Sequence, residues 1–161
     1  MKYFDFNKLF ILDLANNHQG DFAHGIDIVS QLGEALTDKP IKPVIKFQFR
    51  QIDTFIHPDY KNRDDLPHIP RFMSTRLGLE EYEQLIAEAK KWGMMTCCTP
   101  FDEESVDLIK QMDFDIIKVA SCSISDWPLI DKIIDAKMPI VASTGGINLS
   151  KIDEVVHHFK K

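Results

Sequence analysis

Apolar and polar positions along the chain fall into five cycles of one kind. Each is a short apolar run of strand length, then polar residues, then a segment with apolar positions three and four residues apart. In the first cycle, Phe10 to Ala15 breaks into Asn16, Asn17, His18, Gln19 and Gly20. Phe22, Ile26, Val29, Leu32 and Leu36 then mark one helix face, capped by Asp21 and ended before Pro40 and Pro43. The second strand spans Val44 to Arg50, with Lys46, Gln48 and Arg50 on one face and Phe47 and Phe49 on the other. Residues 51–78 read as a long ordered loop with Phe55, Tyr60, Ile69 and Phe72 as apolar anchors.

The later cycles are more regular. A helix over Leu79 to Trp92 presents Leu79, Tyr82, Leu85, Ile86 and Ala89 and stops at Gly93. Strands are predicted at Met94 to Thr99, Asp115 to Ala120 and Pro139 to Ala142. Asp102 and Ser150 are predicted caps of the first and last helices that follow, and Asp126, Trp127 and Pro128 start the helix between them. Five βα units demand a largely parallel α/β sheet.

The chain has 161 residues and 44% hydrophobic content, enough for one domain with a real core. A net charge of −6 without a basic block argues against nucleic acid or an anionic membrane as partner. No apolar run reaches membrane-spanning length and the N-terminus lacks a leader pattern, so a cytoplasmic location is expected. Cys97, Cys98 and Cys122 form no disulfide framework and read as small core residues. His57 and His68 lack metal-site spacing, and no local metal motif is present.

Candidate chemistry lies where the strands end, the place parallel α/β proteins use for it. The second strand ends in Lys46, Gln48 and Arg50, whose shared face suggests an anion site, the third in Thr99, the fourth in Lys118, Ser121 and Ser123, and the fifth in Ser143. Cations converging with neutral donors suit a phosphate or carboxylate. Ser143-Thr144-Gly145-Gly146 before a helix adds backbone N–H groups. The competing reading makes the lysines surface residues of poorly placed strands. Asp13, an acid inside an apolar strand, either faces a substrate or forms a structural salt bridge. His18 serves either substrate or the hydrogen bonding of its own turn.

The segments Ile11 to Gly20, Val44 to Gln48, Cys98 to Asp102, Ile117 to Ser121 and Ser143 to Gly146, in this order, resemble the sialic acid synthase family, N-acetylneuraminate synthase and its relatives. The resemblance implies a (β/α)8 TIM-type barrel, of which residues 1–161 would be the N-terminal portion with about five βα units. It implies condensation of phosphoenolpyruvate with an N-acylated hexosamine, such as N-acetylmannosamine, to a nine-carbon 2-keto sugar acid and phosphate. By position, Lys46, Thr99, Lys118, Ser121 and Ser143 would hold phosphoenolpyruvate, with Gln48 beside them. Asp13, Asn17 and His18 would face the sugar or the reacting centre, and Asp13, His18 and Lys46 are the catalytic candidates. The family also implies a homodimer and a divalent metal, manganese or magnesium, whose ligands come from later strands.

Three departures stand out. Asp13 replaces the family's usual Glu, Cys122-Ser123 replaces Gly-Glu, and the chain stops after its fifth βα unit. The isolated chain is therefore expected to be inactive. Two other readings stay open: a different barrel aldolase or synthase using phosphoenolpyruvate or a phosphorylated substrate, and a non-catalytic sugar-binding barrel domain.

Overall fold

The computed structural model describes residues 4–160. Five parallel strands, β1 (Leu9–Asp13), β2 (Lys42–Phe49), β3 (Met95–Pro100), β4 (Ile116–Val119) and β5 (Ile140–Ala142), form one sheet in chain order. A doubly wound sheet reverses its strand order at a switch point. An unbroken sequential order is that of a barrel wall, here a half-barrel of five strands.

The strands alternate between two surfaces. Leu9, Ile11, Val44, Met95, Cys97, Ile116 and Val141 pack together at the base of one surface. The other surface carries Ile45, Phe47, Phe49, Cys98, Ile117 and Val119 into the main core. That core is closed by α1 (Phe22–Leu36), α4 (Leu79–Lys91), α5 (Glu103–Gln111), α6 (Trp127–Asp135) and α7 (Leu149–Phe159). The concave surface is thus apolar below, and its upper positions fall to Asp13, Lys46, Gln48, Thr99 and Lys118.

Asp21 and Asp102 cap α1 and α5 as expected, and Asp126 at the start of α6 proves to be its cap, each accepting from a backbone N–H of the first turn. The cap of α7 is Asn148 rather than Ser150, because Asn148 Oδ1 reaches Lys151 N at 2.9 Å. The buried face of α1 is Gly25, Val29 and Gly33, a stripe that apolar periodicity overlooks. A Cβ on Gly33 would stand 2.2 Å from the Trp92 ring, so the glycine lets α1 and α4 approach closely. Leu79, expected on the core face of α4, is 53% exposed.

Residues 51–78 are less loop-like than their prolines and charges suggest. They form α2 (Ile52–Phe55), a single 3₁₀ turn at Pro58–Tyr60, and α3 (His68–Ser74). Ile52, Ile56 and Leu77 are buried, while Phe55 pairs edge-on with Phe72 and Phe101. Phe55 and Tyr60, both predicted anchors, are exposed. Apolar burial against the barrel wall supplies what such short helices lack in isolation.

Candidate functional site

Parallel register puts Asp13 opposite Lys46 and Gln48 opposite Thr99. Lys118 lies on β4, opposite Val141 of β5. The Lys46 ammonium meets the Asp13 carboxylate at 2.7 Å, with the lysine side chain 8% exposed and the aspartate 57%. Asp13 therefore pairs within the barrel wall while more than half of its side chain stays exposed.

Lys118 is half-buried, and its pKa is pushed down by desolvation first and by the neighbouring Lys46 ammonium second. Two cations thus share one concave surface, and one carboxylate, Asp13, pairs with the first of them. The Thr99 hydroxyl is buried without a hydrogen-bond partner among the described residues. An orphaned buried hydroxyl costs about 1–3 kcal/mol, which an incoming acceptor would offset. Cys97 lies beneath the lysines, its thiol pushed up to about 12 by burial, so it is a packing residue and not a nucleophile.

The loops after β4 and β5 complete the rim. Ser143 N donates to Val119 O, and a Cβ on Gly145 would sit 3.6 Å from Ser121 Cβ. Ser121 and Ser143 therefore border the same opening. Ser123, where the family resemblance calls for an acid, is buried in the turn after β4.

His18 does not join this group. It is fully buried, its Nδ1 accepts from Gly20 N at 3.1 Å, and its ring meets Tyr82 edge-on at 6.5 Å. It fixes a turn in which Ala15, Gln19 and Gly20 all have positive φ. In that turn Asn17 Nδ2 donates to Asp13 O. Burial lowers the His18 pKa below its usual 6.5. The unfolded chain therefore takes up a proton before the folded one does, and stability is lost as pH falls from about 6.5 toward the lowered value. A His18→Gln variant should show a shallower decline across that window in thermal melts at graded pH. An unchanged decline would assign the proton uptake to another group.

Sequence reasoning missed the surroundings of Arg50. Its guanidinium stacks 4.5 Å over the Phe72 ring and 4.2 Å over the Phe101 ring, and Nη2 donates to Gln48 Oε1 at 3.2 Å. The aromatic spacing of the 51–78 segment was the available signal. Among the described residues no three His, Cys, Asp or Glu side chains converge to hold a metal ion. Among the same residues no helix is long and apolar enough to cross a membrane.

Comparison with known proteins matches this geometry to a family. The NeuB family profile covers residues 42–161. The chain is 29% identical over 157 residues to an N,N'-diacetyllegionaminic acid synthase of Campylobacter jejuni, covering 92% of the chain and 46% of that protein. A solved structure of a candidate spore coat polysaccharide biosynthesis protein E from Chromobacterium violaceum superposes with TM-score 0.92 at 44% identity, covering 96% of the chain and 47% of the other. The fold is shared with an N-acetylneuraminic acid synthetase of Leptospira borgpetersenii, solved in complex with citrate. That match has TM-score 0.78 at 23% identity, over 95% of the chain and 50% of the other. The chain spans about half the length of these relatives.

Proposed function

The chain belongs to the NeuB family, and from that premise we propose that it forms the phosphoenolpyruvate-holding half of a sialic or legionaminic acid synthase-type barrel. One observation carries the reading: Lys46 and Lys118 stand close enough on one concave surface for the first to depress the pKa of the second. Like charges held together in a half-buried site are costly, and a bound dianion or trianion relieves that cost.

In this reading Lys46 and Lys118 bind the phosphate and carboxylate of phosphoenolpyruvate, with the free hydroxyl of Thr99 donating beside them. Ser121, Ser143 and the Ser143–Gly146 backbone bind from the adjoining loops. Gln48 orients the enol. Asp13, tied to Lys46 but open on its outer side, faces the aldehyde of an N-acylated hexosamine. Fixed cations and donors hold the enol carbon for attack on that aldehyde. Water adds, phosphate leaves and a 2-keto sugar acid remains. His18 acts here as a positioning residue for the Asn16–Asn17 turn. A divalent metal would supply Lewis-acid polarisation of the aldehyde, with ligands from beyond the described residues.

The test separates binding from turnover. Calorimetric titration of the 161-residue chain with phosphoenolpyruvate should show saturable binding. The same chain with phosphoenolpyruvate, N-acetylmannosamine and manganese should release no phosphate above background. Absent binding would overturn the anion site, and measured turnover would overturn the incompleteness of the half-barrel.

A further inference from the structure

A cavity of about 470 Å³ opens beside the lysine surface. Its size falls within the range of small-molecule sites. Its walls come from the end of β2, the 51–78 segment, α4 and α5, with Asn16 at one border. Apart from Asn16, these elements belong to the middle of the sheet, so strands added at either open edge would not supply its walls. Ile52, Phe72, Leu77, Tyr82 and Leu108 make much of the lining apolar.

Arg50 is the cation of this wall that no carboxylate neutralises, its one side-chain hydrogen bond going to the neutral Gln48. Among the described residues it forms no ion pair. Its Nε is buried and unpartnered. The Phe72 and Phe101 rings stack on the guanidinium, and Nη2 is the nitrogen that donates to Gln48. Asp102 is near enough to be felt, yet its two oxygens already accept from Gln51 N at 2.7 Å and Ser105 N at 2.8 Å. Other charges around the cavity are neutralised: Arg76 pairs with Asp53 at 2.9 Å, and Asp107 with Lys132 at 2.8 Å. Glu104 remains, an exposed acid on the lining that disfavours a multiply charged anion.

We propose that this cavity is a second ligand site, distinct from the lysine surface, which binds a small monocarboxylic acid with an apolar body. The carboxylate docks on the Arg50 guanidinium, the planar cation suited to carboxylates. The apolar body lies among Ile52, Leu77, Tyr82 and Leu108. Gln48, which accepts from Arg50 and also lines the cavity, is the residue common to both sites.

The experiment is fluorine NMR of 4-fluorobenzoate titrated into the 161-residue chain, with and without excess phosphoenolpyruvate. Saturable binding that persists in excess phosphoenolpyruvate is expected. Arg50→Gln should weaken it about tenfold or more, the loss of a charge-assisted pair. Gln111→Trp, at the exposed end of α5, keeps Arg50 but fills the cavity and should weaken binding similarly. That variant decides the matter if Arg50→Gln fails to fold by circular dichroism. No saturable binding, displacement by phosphoenolpyruvate, or equal affinity in a folded Arg50→Gln or Gln111→Trp variant would each overturn the site. Displacement of the probe by equimolar inorganic phosphate would overturn the monocarboxylate assignment. None of these readouts requires phosphoenolpyruvate to bind, so this proposal and the synthase reading fail separately.

Discussion

Truncating Phe47 to alanine is expected to lower the unfolding free energy by about 3–5 kcal/mol. Phe47 is wholly buried on the helix-facing surface of β2, edge-on to Tyr82 at 6.3 Å and to Phe114 at 5.7 Å. Phe49 closes the same box against both rings, at 4.7 and 5.5 Å. Four rings from a strand, a helix and a connecting turn cannot collapse into the space one of them leaves, so the cavity cost is added to the lost burial. Urea unfolding should show a lower midpoint with an unchanged slope. Lys46 and Gln48 flank Phe47 and point to the opposite surface. The same variant should therefore weaken phosphoenolpyruvate binding without touching the ligand. A loss below about 1 kcal/mol would mean that the aromatic box is not what positions β2.

Replacing Lys118 by glutamine is expected to weaken phosphoenolpyruvate binding by about ten- to a hundredfold, the worth of one hydrogen bond to a charged group at 1.5–3 kcal/mol. The pH dependence provides the sharper signature. Burial and the Lys46 ammonium lower the Lys118 pKa below the ordinary lysine value of 10.5. A bound anion opposes that shift, so the complex holds the Lys118 proton to higher pH than the free protein does. Affinity should fall as pH rises through the lowered pKa of free Lys118, and the fall should be flatter in Lys118→Gln. Calorimetric titrations at graded alkaline pH provide the measurement. An identical pH profile in the variant would remove Lys118 from the anion site, even if affinity dropped. Lys46→Met should weaken binding to a comparable extent. Its partner Asp13 is more than half exposed, so the unpaired carboxylate remains hydrated.

Side-chain alternation made the site residues legible along each strand. Once β2 is placed, Lys46 and Gln48 share one surface and Phe47 and Phe49 the other, whatever the rest of the fold does. The caps Asp21 and Asp102 were equally readable, because a short acceptor before a helical pattern bonds locally. The helices within residues 51–78 were not, since two short segments dense in proline and charge carry almost no periodicity of their own. Gly33 carries no apolar signal along the chain, and only the packed structure sets the Trp92 ring against it.

The sequence by itself determined the five βα units, the parallel sheet and the polar ends of the strands, because these follow from patterns repeating within a few residues. Only the tertiary structure decided how those ends are divided. It tied Asp13 to Lys46, set Lys118 beside them, turned His18 into the core beneath its own turn, and stacked Arg50 between Phe72 and Phe101 at a separate cavity. The physical reason is range. Alternation and capping act between neighbours in the chain, whereas ion pairing, desolvation and ring stacking act between residues that only the packed barrel wall brings together.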